Sequence, residues 1–445
     1  MSSDLQNPRW NRNWTFIMAT AGAAVGLGNI WKFPYIAGEN GGGAFVLMYL
    51  ICILLFGIPI MIAEVMLGKK GRENPVHAML KHSRTVGSGK AWSIIGIMGV
   101  LAGIMIIMYY SVVAGWALDY VFQSATGSYM NKPADEVAAG FSVLYDDKAR
   151  QLMWHSVFIV VTGFIVALGV TRGIGNAVDV LMPILFILLF SLLIYAYNNG
   201  NFQQGLEFLF NPDFSKLTPK SALVAMGHAF FTLSLGMGTV MVYGSYMPES
   251  SSVPRAVLTV AFLDTLIALI AGMTIFPIVF ASGLTPGSGP GLLFETLPTA
   301  FSNMQYGVLV GTAFFVLVAI AALSSMISLI EPAVAWLVKL GNKRVVATLS
   351  LVTLCWAGGA ASAYSGQVFD TLDFVTSNVM LPLGGLLIAV FVGWCYGYTR
   401  TRKENSGMNT LTFNCLFITI RFIAPIGVAI VFFNGIQEKL LALFS

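Results

Sequence analysis

Eleven long apolar runs divide this sequence, and they limit the chain to a bundle of membrane-spanning helices. About 20 apolar residues cross roughly 30 Å of hydrocarbon, and a lone segment there must satisfy its own backbone N–H and C=O groups, as an α-helix does. The runs cover residues 14–37, 43–68, 91–124, 152–170, 175–197, 220–246, 256–283, 305–338, 345–365, 374–398 and 411–436. Composition agrees: 10% of the 445 residues are charged and 57% are hydrophobic. A water-soluble domain carries about 25% charged residues, so most of this surface faces lipid. No tail or soluble module stands apart, and residues 1–445 read as a single all-α membrane domain.

Several function classes drop out on the same residues. Lys plus Arg (24) barely exceed Asp plus Glu (20), too little for a nucleic-acid binder. Cys52, Cys355, Cys395 and Cys415 lie in or beside apolar runs, which argues against a disulfide framework. His77, His82, His155 and His228 make no metal-ligand spacing, and no nucleophile–base pair is visible, so an enzyme is not expected. The first fourteen residues are polar, and no cleaved signal peptide is expected.

Orientation follows from the cations. With the N-terminus cytoplasmic, the inner segments hold sixteen: Arg9, Arg12, Lys69, Lys70, Arg72, Lys81, Arg84, Lys90, Arg172, Arg255, Lys339, Lys343, Arg344, Arg400, Arg402 and Lys403. The outer segments hold six: Lys132, Lys148, Arg150, Lys216, Lys220 and Lys439. Positive charge favours the cytoplasmic side, so the expectation is a multi-pass plasma-membrane protein with its N-terminus inside and its C-terminus outside. The longest loops, 125–151, 198–219 and 284–304, then face outward. The segment SGLTPGSGPGLLFETLPTAF either folds back as a re-entrant lid or packs as an outer loop.

Two runs carry glycine where a spanning helix should be most regular. The first holds Gly22, Gly26 and Gly28 and closes on Pro34; the sixth holds Gly236 and Gly238. Glycine lowers the cost of leaving helical dihedrals, but the freed backbone groups then need partners that lipid cannot supply. A bound ion or substrate can supply them, although close helix packing explains any single G-x-G equally well. Breaks in runs one and six predict an inverted repeat of five plus five helices, residues 14–197 and 220–398, with 411–436 as an additional span.

The polar residues inside the runs are Asn29, Glu64, Asp119, Asp179, Thr232, Ser234, Asp264, Ser324, Ser325, Glu331 and Arg421. An ionisable group at that depth costs at least ~2.5 to 3.5 kcal/mol unless paired, so Asp264 requires a partner, read as a cation. Asp119, Asp179 and Arg421 are read as lying nearer span ends, where they snorkel or pair. Glu331, before Pro332, is either support for a helix break or a ligand.

The strings GAAVGLGNIWKFPYIAGENGGGAF, FFTLSLGMG and GPGLLFETLP, with ALSS at Ala322–Ser325, resemble the neurotransmitter:sodium symporter family, in particular its bacterial amino-acid branch. The resemblance covers residues 9 to 434. It implies eleven spans, discontinuous helices one and six, and sodium-coupled symport of hydrophobic or aromatic L-amino acids by alternating access. It further implies two sodium sites: the first from Ala24, Asn29, Thr232 and Asp264, the second from Gly22, Val25, Ala321, Ser324 and Ser325. The substrate would meet Ala24, Gly26, Ile106, Tyr110, Phe231, Thr232, Ser234, Met237, Ser325 and Leu329. Gly26 stands where monoamine carriers of the family place Asp, which leaves room for a substrate carboxylate.

The same resemblance places an outer gate at Lys32 and Asp373 and an inner gate at Trp10 and Tyr246. The family's inner-gate arginine is replaced by Asn7 and its acidic partner by Lys339, with Arg9 or Arg12 as substitutes. Glu64 would brace the sixth helix, and Gly173 with Pro183 would mark an unwinding point. Asp264 puts a fixed negative charge where animal members use chloride, so no chloride requirement is expected. The implied partners are a small amino acid and the bilayer, with no nucleic acid and no obligatory protein partner. A proton-coupled permease of the same architecture, or a symporter for another small zwitterion, is the alternative.

Overall fold

A computed structural model describes residues 9, 10, 12–286, 289–430 and 432–434. Asn7, Lys439, most of the polar start and the last two residues of the 411–436 run lie outside them. Among the described residues nine helices are long and apolar enough to cross a membrane: Gly43–Gly71, Lys90–Ala125, Lys148–Ala167, Val170–Asn199, Val253–Ala281, Gly307–Lys339, Arg344–Tyr364, Gly366–Tyr396 and Thr410–Asn434. They match nine of the expected runs. The other two, the first and the sixth, are each split into shorter helices: Asn13–Ala24 and Phe33–Glu39, then Pro219–Thr232 and Thr239–Tyr246. The described structure contains no strand, only an isolated bridge between Gly42 and Pro212.

Lys90–Ala125 and Gly307–Lys339 (spans 3 and 8) pack along each other and form the centre of the bundle. Glycine sets their spacing: a Cβ on Gly103 would lie 2.7 Å from the Leu329 carbonyl oxygen. At the lipid-facing periphery, Phe164, Ile187, Ile194, Phe262, Leu309 and Ile426 are exposed, as expected where hydrocarbon is the solvent.

The three longest loops carry helices of their own. Ala134–Asp146 and Phe202–Phe210 occupy the first two. The third holds a wide turn, Leu292–Thr296, followed by helix Leu297–Ser302, most of it buried. Phe294 packs against Trp116, Tyr120, Phe141 and Phe315, and its carbonyl accepts the Tyr120 hydroxyl at 2.7 Å. This segment is therefore a helical plug seated in one end of the bundle. Asp119, at the same end, takes both arms of Arg150 at 2.6 and 2.9 Å, a structural pair.

Candidate functional site

The first helix ends at Ala24 because Val25 takes an extended conformation, φ −74° and ψ 99°. Regular helix would bond the carbonyls of Gly22, Ala23, Ala24 and Val25 to the N–H groups four residues on. Those donors go elsewhere. Gly26 N–H donates to Asn29 Oδ1 at 3.1 Å, Leu27 N–H to the Tyr110 hydroxyl at 3.0 Å, and Asn29 N–H to the Gly26 carbonyl at 3.2 Å. The carbonyl oxygens of Gly22, Ala23 and Val25 thereby lose their helical donors in the interior of the protein. Ala23 O accepts the Ser234 hydroxyl at 2.8 Å, which joins the first break to the second.

The second break runs from Leu233 to Gly238, with Ser234, Gly236 and Gly238 all at positive φ. Carbonyls of the preceding turn are recaptured, Phe230 O by Leu235 N–H at 3.0 Å and Phe231 O by Ser234 N–H at 3.1 Å. Gly236 N–H donates to Glu64 Oε2 at 3.1 Å, so a buried carboxylate from span 2 closes the gap. Glycines on two other spans admit this irregular backbone. A Cβ on Gly99 would meet Gly238 N at 2.8 Å, and one on Gly384 would meet Gly236 Cα at 3.0 Å. These glycines escaped the sequence reading; their signal was small residues at G-x3-G spacing in span 3 and a Gly-Gly pair in span 10.

Beside the breaks lies a narrow cavity of about 20 Å³ lined by Ala23, Ala24, Gly26, Gly28, Ile106, Tyr110, Phe231, Ser234, Met237, Ser325 and Leu329. All the expected substrate-contacting residues line it except Thr232, and Ala23 and Gly28 join them. Thr232 faces the other way: its hydroxyl donates to Asp264 Oδ1 at 2.8 Å. Position 26 is tight: a Cβ there would sit 2.5 Å from Ser325 Oγ and 2.9 Å from the Tyr110 hydroxyl, and one of these groups would have to shift.

Two oxygen-rich clusters flank the cavity. In the first, Asn29 Nδ2 donates to Asp264 Oδ1 at 2.7 Å and to the Asp264 carbonyl at 3.0 Å, and the Tyr49 hydroxyl donates to Oδ2 at 3.3 Å. Asp264 is fully buried, and among the described residues no basic side chain pairs with it. His228 packs against Tyr49 and Phe33, with no hydrogen-bond partner on either ring nitrogen. In the second cluster, Ser325 Oγ lies 3.4 Å from Gly22 O and 3.5 Å from Val25 O, while Ser324 Oγ donates to Ala321 O at 3.0 Å. Carbonyl, hydroxyl and carboxylate oxygens suit a hard alkali cation.

The gate residues behave differently at the two ends. Lys32 and Asp373 form no ion pair: Lys32 Nζ instead lies 4.8 Å from the Phe231 ring centroid, and Asp373 accepts the Ser377 hydroxyl. Lysine lacks the fork that would favour a bidentate grip, and the aromatic face offers its ammonium an alternative. At the other end Trp10 N–H donates to Tyr246 O at 3.1 Å, and the Trp10 ring packs edge-on against Tyr243 and Tyr246.

The ion pair beneath Trp10 is one the sequence reading did not identify. Glu331 is fully buried, accepts the Tyr246 hydroxyl at 2.6 Å and receives both terminal nitrogens of Arg344. Arg9 pairs instead with Glu249, both exposed, and Lys339 pairs with Glu73; among the described residues the exposed Arg12 has no ion-pair partner. Gly173 sits in the wide turn Val170–Gly175, where a Cβ would collide with the Ile165 carbonyl. Pro183 lies within the continuous helix Asn176–Asn199, and its neighbour Met182 is close enough that a Cβ on Gly22 would meet Sδ at 3.0 Å.

The family profile described as sodium:neurotransmitter symporter matches residues 7–136 and 147–442. The chain belongs to that family. This symporter is 35% identical over 447 residues to the uncharacterized sodium-dependent transporter YhdH of Bacillus subtilis (strain 168), covering 97% of this chain and 98% of the relative. An uncharacterized sodium-dependent transporter of Haemophilus influenzae is 32% identical, covering 98% and 99%. Among solved structures, MhsT in complex with L-phenylalanine matches with a TM-score of 0.89 and 42% identity over 96% of this chain and 99% of that one. This symporter is thus a multi-pass, sodium-dependent membrane transporter and not an enzyme.

Proposed function

We propose that this symporter carries L-amino acids with apolar or aromatic side chains, coupled to two sodium ions and without a chloride requirement. The observation that carries the reading is the cavity itself. Ile106, Phe231, Met237 and Leu329 give it an apolar wall, while Gly26, Tyr110 and the unwound first helix give it a polar one. Since Gly26 brings no carboxylate of its own, a carboxylate there would come from the substrate. Tyr110 accepts from Leu27 N–H and keeps its own proton to donate to that carboxylate. Met237 is unbranched and repacks easily, which favours several apolar side chains over one. MhsT, the similar protein, was solved with L-phenylalanine.

The first sodium would lie among Ala24 O, Asn29, Thr232, Asp264 and the substrate carboxylate. The second would lie among the carbonyls of Gly22, Val25 and Ala321 and the hydroxyls of Ser324 and Ser325. Because the carboxylate completes the first site, substrate and sodium each raise the other's affinity by the same factor. Two inward charges at 100 mV supply ~4.6 kcal/mol, from about 2.3 per charge, before any sodium gradient. Asp264 supplies fixed negative charge beside the first site, which makes chloride unnecessary. The cation bias places the Trp10 end inside, and alternating access rocks the broken helices against the other spans, arranged as an inverted repeat. Uptake of radiolabelled phenylalanine, leucine, glutamate and a monoamine into proteoliposomes tests this. Accumulation of the first two, dependent on sodium and unchanged when gluconate replaces chloride, is expected; sodium-independent uptake, or loss without chloride, refutes it.

A further inference from the structure

Spans 10 and 11 meet where each widens into a looser turn, Phe391–Tyr396 and Thr419–Ile423. Gly393 permits the contact: a Cβ there would lie 2.8 Å from Arg421 Cα. The Arg421 side chain leaves this seam toward the outside of the bundle. Its guanidinium carbon lies 4.6 Å from the Trp394 ring centroid and 5.3 Å from that of Phe422, and its carbonyl accepts the Trp394 indole N–H at 3.1 Å. Both rings are open to the surroundings, Trp394 56% and Phe422 45% exposed.

Among the described residues no carboxylate pairs with Arg421, and its Nε is buried without a hydrogen-bond partner. A guanidinium at the lipid boundary is costly unless it finds an anion or reaches the headgroups. Stacking on aromatic faces serves its faces, while the in-plane N–H donors still need acceptors.

The depth and direction of the side chain identify the acceptor. Trp394 is two residues from the end of its span at Tyr396, and the Tyr398 hydroxyl just beyond donates to Asn414 Oδ1 at 2.8 Å. Arg421 therefore lies about 10 Å along its helix from that level, at 1.5 Å per residue. Helical side chains lean toward the helix N-terminus, so Arg421 points back toward Tyr398. Tyr398 opens the helix Tyr398–Glu404, on which Arg400 and Lys403 are exposed, while Glu404 is held by Lys70 at 3.0 Å. The cation bias puts this end inside. There an exposed Trp, an exposed Tyr and a concentration of positive charge mark headgroup level.

We propose that Arg421, held against Trp394 near the headgroup level marked by Tyr398, binds the headgroup phosphate of an anionic phospholipid in the inner leaflet, whose acyl chains run along Ile418, Phe422 and Ile426. A second copy of the chain would need an unpaired acid at this depth, whereas an anionic lipid brings its charge with it. The site lies apart from the substrate cavity and acts as a lipid anchor for spans 10 and 11.

Native mass spectrometry of the full-length protein, equilibrated with phosphatidylglycerol or phosphatidylcholine and then stripped by rising activation energy, tests the proposal. The wild type should keep phosphatidylglycerol in preference to phosphatidylcholine. Arg421→Gln should lower that retention about fivefold or more, Arg421→Lys should keep most of it, and Arg400→Gln should cost less than Arg421→Gln. Sodium-dependent substrate binding by Arg421→Gln shows that it is folded. If it does not fold, the wild-type lipid preference and retention by Arg421→Lys decide. Equal retention of the two lipids by the wild type overturns the proposal, as does undiminished retention by folded Arg421→Gln. Release of the bound lipid by millimolar inorganic phosphate also overturns it, by showing a site for the free anion.

Discussion

The Glu64 carboxylate accepts the N–H of Gly236 at 3.1 Å, so an acid on the second span holds one edge of the gap in the sixth. The other oxygen, Oε1, has no hydrogen-bond partner among the described residues, and the group is fully buried. Removing the acceptor leaves Gly236 N–H unsatisfied inside the protein, at a cost of about 1–3 kcal/mol. Glu64→Ala should lower both the detergent melting temperature and substrate affinity. Glu64→Gln, which keeps an acceptor oxygen, should retain most of both; equal losses in thermal-shift and binding assays would argue that only charge matters.

Asp264 gathers Asn29, Thr232 and Tyr49 around one carboxylate that has no basic partner among the described residues. If a cation completes that charge balance, Asp264→Asn should weaken sodium activation of substrate binding by about tenfold or more, the scale of a charge-assisted contact of ~1.5–3 kcal/mol. A sodium titration of equilibrium binding reads this directly. An unchanged half-saturation would remove Asp264 from the sodium site.

A methyl group on Gly26 would press against Ser325 and Tyr110 at less than contact distance. Overpacking costs about 1–3 kcal/mol, so Gly26→Ala should reduce substrate affinity roughly tenfold while leaving the fold intact. Competition binding alongside a melting curve separates the two effects. Wild-type affinity in Gly26→Ala would mean the substrate carboxylate lies elsewhere.

The Glu331–Arg344 pair, joined to Tyr246, is the candidate latch beneath Trp10. Breaking one partner of a buried pair costs about 3–5 kcal/mol, enough to favour opening at this end by more than a hundredfold. In a background lacking Cys395 and Cys415, Thr15→Cys should be labelled faster by a membrane-impermeant thiol reagent when Arg344 is replaced by Ala. Arg344→Lys should fall between, because a lysine lacks the bidentate fork. Labelling rates that do not differ would show the latch to be elsewhere.

The spans were legible because apolar length is written directly in the chain, and the two breaks because Gly22, Gly26, Gly236 and Gly238 interrupt runs that otherwise look helical. The residues around the cavity were legible only through specific strings such as GAAVGLGNIWKFP. What escaped depended on distance in three dimensions. Glu331 stood out as an acid beside a proline, but nothing in its spacing selected Arg344 over Arg9 or Arg12 as partner. Gly99 and Gly384 carried no distinguishing signal of their own, because their role depends on the irregular backbone they accommodate. Lys32 and Asp373 were paired by resemblance, whereas Lys32 lies over Phe231 in the structure.

Where Gly236 and Gly384 meet, two main chains lie bare against each other with no side-chain knob between them. Such a seam has little corrugation, so the sixth span can slip past the tenth without first prising apart interlocked ridges. Adding a single methyl at Gly384 would turn that bearing into a detent, trading speed of travel for a fixed pose.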